Sequence, residues 1–266
     1  MSRALVLCLL AVLLLAGFGL AQNPPEAVVV SPTALPRIPP PPPDATAAQL
    51  EGTADELRAQ KAFADAFDYY RLALKKQPSA ALQNKLGISA LQLMRYPEAK
   101  KAFAKSIKMD RTYADAYNNL GVVFYIQKKY SRAVKYYRKA LALRETAGSF
   151  HSNLGTAYFA RKEFPAAMAE YARAMELDPE VFERKSQAGV AAQMSSPEDR
   201  AYYCFMLAKM YARAGNFERA LAYLRKSMED GYQGIDAVYK DPEFAELRKE
   251  QRFAELMASK PAALPQ

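Results

Sequence analysis

Outside its N-terminal segment this 266-residue sequence holds one histidine and one cysteine, His151 and Cys204. A histidine beside a thiol can activate it, and the same residue types ligate zinc when a fold brings enough of them together. One of each cannot complete a tetrahedral site. The other cysteine, Cys8, lies in an apolar run near the start of the chain, so the remainder has no partner for an internal disulfide. Glycine-rich phosphate loops are absent. The acidic pairs Glu198-Asp199 and Glu229-Asp230 fall at expected helix ends, where capping and dipole effects account for them. His151 and Cys204 share one column of a repeating pattern with Gln83 and Tyr117, and both read as packing residues. These observations predict no catalysis, no cofactor, no metal and no small-molecule substrate.

The repeating pattern supplies the elements that position these residues. Gly87, Gly121 and Gly155 stand 34 residues apart, as do Leu86, Leu120 and Leu154 just before them. Ala99, Ala133 and Ala167 keep the same step. So do Phe103, Tyr137 and Tyr171; Tyr96, Tyr130 and Phe164; and Ser106, Ala140 and Ala174. Glycine and alanine fit where two helices pass closely, and the aromatic columns fill the space between helices. Pro97 and Pro165 each follow an aromatic residue at a second-helix start, where a missing N–H costs nothing. Asp178-Pro179 stops a helix.

This pattern, LG-xx-[YF] followed by [YF]-xx-A-xxx-[YF]-xx-A and DP, resembles the tetratricopeptide repeat family. Three strong copies cover Ala80 to Val181, departing at Ala90, where Phe124 and Tyr158 stand in the next copies. A weaker copy precedes them on Phe63, Ala66, Tyr70, Ala73 and Pro78. Another follows on Ala208, Tyr211, Phe217, Ala220, Leu224 and Ser227, with Ala208 in place of the glycine. The resemblance implies an all-α fold, a right-handed superhelical solenoid of stacked antiparallel helix pairs with units near 47–79, 80–113, 114–147, 148–181 and 201–234. Residues 182–200 break the register, as an orphan helix or an irregular insertion. Within them Ser196 is placed to cap the next helix, with Pro197 in its first turn. Residues 235–260 read as a cap of two short helices.

Met1 to Ala21 carries Arg3, an apolar core from Ala4 to Ala16 and small residues at Gly19 and Ala21, the pattern of a secretory signal cleaved after Ala21. The expected location is periplasmic or secreted; the alternative is an uncleaved membrane anchor. Residues 22–45 hold 9 of the chain's 17 prolines and read as an extended, solvated linker.

Two surfaces are candidates for binding. In the family the first helices line a concave groove that takes extended or helical peptides. Carried over, the groove positions are Asn84, Ile88 and Leu91; Asn118, Val122 and Tyr125; and Ser152, Thr156 and Phe159, with Tyr125 exposed to a ligand. The subset of the family that clamps chaperone carboxylates uses basic groove residues. Asn84, Ser149 and Asn153 fill those positions here, which argues against that role even though Asn119 is compatible with it. The second surface is basic. Residues 80–147 hold fourteen Lys and Arg against four Asp and Glu, a net +10 in a chain of net +9. Lys100, Lys101, Lys105 and Lys108 lie on one second helix, and Lys128, Lys129, Arg132, Lys135, Arg138 and Lys139 open and cover the next. This convex face is expected to lack stacking aromatics, which argues against nucleic acid. The sequence therefore predicts a scaffold or adaptor that holds another protein or peptide in its groove. The alternative function is electrostatic binding of an anionic membrane or polyanion through residues 80–147.

Overall fold

The computed structural model describes residues 38–182 and 196–261. The expected signal segment, most of the proline-rich stretch and the greater part of the register break lie outside the described residues. Within the unit from Pro39 onward, antiparallel helices pair in sequence: α1 (Ala47–Ala59) with α2 (Phe63–Lys76), α3 (Ala80–Gln92) with α4 (Tyr96–Met109), and α5 (Ala114–Ile126) with α6 (Tyr130–Leu143). Next come α7 (Gly148–Ala160) with α8 (Phe164–Leu177), and α9 (Pro197–Arg213) with α10 (Phe217–Glu229). Each of the first three pairs packs on the next, and every regular element among the described residues is helical.

Local chemistry sets the helix boundaries. Thr46 and Gln49 form a reciprocal capping box at α1, Ser79 caps α3 and Asn216 caps α10. Ser196 Oγ accepts from the Asp199 amide at 3.0 Å, with Pro197 in the first turn of α9, as the sequence predicts. Within each pair one residue takes the left-handed conformation: Lys61, Met94, Lys128 and Lys162 at φ of 57–63°, and Gly215 at 74°. In every case the next amide bonds a carbonyl five residues back, for example Lys129 N to Phe124 O at 2.9 Å. That closure satisfies carbonyls at the helix end and reverses the chain.

The repeat columns form the core. Tyr70, Phe103, Tyr137, Tyr171 and Leu224 are fully buried, as are Ala99, Ala133 and Ala167. A Cβ built on Gly87, Gly121 or Gly155 would lie 2.5–2.6 Å from the ring of Phe103, Tyr137 or Tyr171 respectively. The glycine column therefore makes room for the aromatic residue of its own pair. In the last pair both members change together, to Ala208 and Leu224. Ser106 and Ser227 occupy the small-residue column and return hydrogen bonds to Ala80 O at 2.7 Å and Ala201 O at 2.9 Å.

Two expectations are corrected. The end of the proline-rich stretch is not free: the Tyr69 hydroxyl donates to Pro39 O at 3.0 Å, Lys76 donates to Pro43 O and Ala45 O, and Ala45 is buried. The cap is also not two short helices. Three 3-10 turns, 235–239, 242–244 and 247–249, precede one helix, α11 (Gln251–Ser259). Asp241 and Pro242 interrupt the backbone, and the Arg248 guanidinium donates to Val238 O and Asp241 O at 2.8 and 2.9 Å, which holds the turns together. Phe244 and Leu247 from these turns fill the open end of the α9–α10 pair.

Candidate functional site

The first helices α3, α5 and α7 lie side by side, and their groove positions are joined by side-chain amides. Asn153 Nδ2 donates to Asn118 Oδ1 at 3.0 Å, Asn118 Nδ2 to Asn119 Oδ1 at 3.3 Å, and Asn119 Nδ2 to Asn84 Oδ1 at 3.0 Å. Four asparagines from three successive pairs thus form one continuous relay. An amide offers two donor hydrogens and two acceptor lone pairs, and the relay uses at most one of each on any of these residues.

The nine predicted groove residues divide on the structure. Ile88 and Ser152 are half-buried, and the other seven are buried. The expected exposure of Tyr125 does not hold: it is 5 % exposed, its ring centroid 5.2 Å from that of Tyr130, and burial pushes its hydroxyl well above the ordinary tyrosine range. Phe159 is covered by Phe164, Tyr202 and Tyr203, with centroids 5.4–5.9 Å away. Thr156 is turned inward. Its hydroxyl donates to Ser152 O at 2.8 Å and accepts from Tyr171 at 3.2 Å.

Sequence reasoning missed Lys85, beside Asn84 on α3. Its Nζ lies 2.7 Å from Glu51 and 2.6 Å from Asp55 on α1. Asp55 also accepts from the Tyr70 hydroxyl at 2.5 Å. Burial raises the Asp55 carboxyl, but hydrogen bonds from Lys85 and Tyr70 outweigh it and hold the group below the usual carboxylate range. The register offered a signal, because Lys85 falls in the same column as Asn119 and Asn153. Toward the other end, Lys209 on α9 is held by Asp241 and Glu243, both at 2.7 Å. The two lysines are neutralised within the protein, so neither offers a free cation to a ligand carboxylate.

His151 and Cys204 are both buried. His151 bridges Glu170 Oε2 at 2.7 Å and Glu145 O at 2.9 Å, a tie between α7, α8 and the preceding turn. Burial pushes the Cys204 thiol up to about 11.

The tetratricopeptide repeat family model matches residues 114–146, which are α5 and α6, and a second tetratricopeptide repeat model matches residues 206–231, most of α9 and α10. The chain carries tetratricopeptide repeats. A thermophilic TPR protein of Thermus thermophilus superposes with a TM-score of 0.50 at 18% identity, covering 77% of this chain and 100% of that one. The Cut9–Hcn1 hetero-tetramer of the APC/C superposes with a TM-score of 0.51 at 18% identity, covering 76% of this chain and 35% of that chain. At these identities the likeness is one of fold. A MamA crystal structure aligns at 21% identity over 66% of this chain and 93% of that one, with a TM-score of 0.46. No curated protein matches the chain in sequence.

On the second helices of these repeats, the predicted basic residues of α4 and α6 are exposed. The absence of aromatics expected for this face is corrected. Phe124 lies beneath both Lys100, 5.5 Å from its centroid, and Arg132, at 5.8 Å. Tyr136 stacks on Phe124 at 5.2 Å, and Lys139 covers Tyr136 and Tyr117. Tyr136 lies outside the repeat columns, so column matching passes over it. The rings are already capped by cations, which leaves their faces closed to an incoming base.

Proposed function

We propose that this tetratricopeptide repeat protein is a non-catalytic scaffold that holds a segment of another protein along its concave groove. The observation that carries the reading is the asparagine relay across α3, α5 and α7. An extended peptide presents alternating N–H and C=O groups, and the remaining donors and lone pairs of a row of amides complement them. Lys85 and Lys209, each paired with two carboxylates, direct recognition away from a C-terminal carboxylate and toward main chain and uncharged side chains. The reading needs no cofactor. Met1 to Ala21 supports export to the periplasm or beyond, with the proline-rich stretch as a tether whose end is fastened on α2.

Photo-crosslinking tests the proposal. A probe replacing Ile88 or Ser152, the half-buried groove positions, is expected to capture one defined protein in the native host. That capture should disappear when Asn118 and Asn119 are changed to Leu. Capture that is indifferent to Asn118→Leu/Asn119→Leu, or confined to a probe at Lys135 on the outer face, overturns it.

A further inference from the structure

The groove reading leaves the basic outer face unused, and this face has an internal regularity that the fold does not require. On α4, Lys101, Lys105 and Met109 follow one another at four-residue steps, a line along one side of a helix. On α6, Lys135, Lys139 and Leu143 repeat that line 34 residues later. The same columns hold Ala169, Arg173 and Leu177 on α8, and Asp68, Leu72 and Lys76 on α2. Two adjacent repeats therefore carry a lysine–lysine–apolar stripe that stacking alone does not demand.

All six side chains are exposed. Met109 and Leu143, at 41% and 43%, are two of the four exposed large hydrophobic residues among those described. None of the four lysines has an ion-pair partner among the described residues, whereas Lys85, Lys162 and Lys209 are all paired. Lys100 on α4 and Arg132 on α6 both lie within 6 Å of the centroid of one ring, Phe124, so the cationic surfaces of the two helices meet.

We propose that this face docks on an anionic phospholipid surface, with the four lysines at the headgroup phosphates and Met109 and Leu143 entering the boundary below them. Uncompensated cations on two neighbouring helices supply attraction to anionic lipid, and the apolar residue ending each stripe supplies the contact that charge alone lacks. Nucleic acid fits less well, because the rings at this face are already covered. An acidic protein would satisfy the lysines but gives no account of the two apolar ends. No helix among the described residues is long and apolar enough to cross a membrane, so the contact is peripheral.

The test is vesicle flotation of the full chain, comparing phosphatidylcholine with phosphatidylcholine containing about one third phosphatidylglycerol. Any binding by the N-terminal segment is common to wild type and variants, so the readout is how each variant changes the ratio of anionic to neutral partitioning. At low salt that ratio is expected to fall on the order of several hundredfold in the Lys101→Gln/Lys105→Gln/Lys135→Gln/Lys139→Gln variant, at roughly fivefold per lysine. Met109→Ser/Leu143→Ser is expected to weaken anionic binding about tenfold at low and high salt alike. Circular dichroism confirms that each variant is folded, and Asn118→Leu/Asn119→Leu should leave the ratio unchanged, which separates this surface from the groove. Equal partitioning to neutral and anionic vesicles overturns the proposal. So does a quadruple variant that keeps its preference. Binding of polyglutamate or a single-stranded oligonucleotide with the same lysine dependence, while Met109→Ser/Leu143→Ser leaves vesicle binding intact, makes the face a general polyanion site and also overturns it.

Discussion

Three consecutive repeats form a natural series on one buried hydroxyl. In the α3–α4 pair the aromatic column holds Phe103 and Ile88 stands in the groove column; in α7–α8, Tyr171 donates to Thr156 at 3.2 Å. The middle pair has the tyrosine without the threonine: the Tyr137 hydroxyl is buried with no hydrogen-bond partner in the protein, and Val122 occupies the threonine's column. A buried, unsatisfied polar group costs about 1–3 kcal/mol. Tyr137→Phe is therefore expected to stabilise the protein by about 1–2 kcal/mol, raising Tm by roughly 2–4 °C per kcal/mol for a chain of this size. Tyr171→Phe, which discards a made bond, should cost about 1 kcal/mol. Val122→Thr should gain about 1 kcal/mol beside Tyr137, because a threonine there can donate to the Asn118 carbonyl as Thr156 does to Ser152, and it should lose that gain beside Phe. Urea unfolding followed by far-UV circular dichroism, the natural probe in a chain without tryptophan, gives all four corners of the cycle. If Tyr137→Phe destabilises as much as Tyr171→Phe, or Val122 and Tyr137 show no coupling, the hydrogen-bond accounting is wrong.

Other expectations follow from the same contacts. Gly121→Ala places a methyl 2.6 Å from Tyr137 Cε1 and should destabilise by about 1–2 kcal/mol, after overpacking is offset by better helix propensity. Adding Tyr137→Leu, which recreates the Ala208–Leu224 combination, should recover part of the loss; no recovery in urea unfolding would show that the ring is not the obstacle. Ala54 opposite Tyr70 sets a bound on this cost, since that pair accommodates both with the Tyr70 hydroxyl anchored on Asp55 and Arg58. Because the folded Asp55 carboxyl is held low, its contribution is complete above the unfolded carboxylate value of about 3.9 and is lost as pH falls through the folded one. The stability difference between wild type and Asp55→Asn should therefore be constant near neutrality and shrink below about pH 4; a difference unchanged in acid would contradict the Lys85 and Tyr70 contacts. In a Cys8→Ser background, Cys204 should react with a disulfide reagent at pH 8 only as fast as the protein opens, and rapid labelling of the folded form would contradict its burial.

What the sequence disclosed and what it withheld divide along a physical line. The glycine, alanine and aromatic columns were legible because helix stacking imposes one steric rule at a fixed interval, and Gly87, Gly121 and Gly155 each meet it against a ring. The left-handed residue in each pair was not legible. Lysine and methionine at these turns carry no signature, and only Gly215 has the residue type that the conformation favours. Groove positions could be named by register, but register does not say which side chains turn inward. Thr156 is drawn in by Tyr171 and Tyr125 by Tyr130, so seven of nine candidates are buried. Lys85 escaped notice because its meaning depends on Glu51 and Asp55, in a repeat too weak to align by its Leu-Gly pair. The cap was misjudged for a similar reason: Arg248 bonds carbonyls ten and seven residues away, a tie that helical periodicity does not reveal.

The stacking also has a mechanical side. Pairs that touch chiefly their neighbours behave as springs in series, and in a series the softest member takes most of the stretch. From α2 to α7, each second helix lies closely along the next first helix, but α8 and α9 are not set together in this way. Among the described residues their link runs through side chains: Tyr203 against Phe159 and Tyr171, Arg219 on Glu180 and Pro179 O, and Lys162 on Asp199. Under tension between its ends, the solenoid would extend first at this joint. The four leading pairs would travel as one stiff rod, and the last pair with its cap as another.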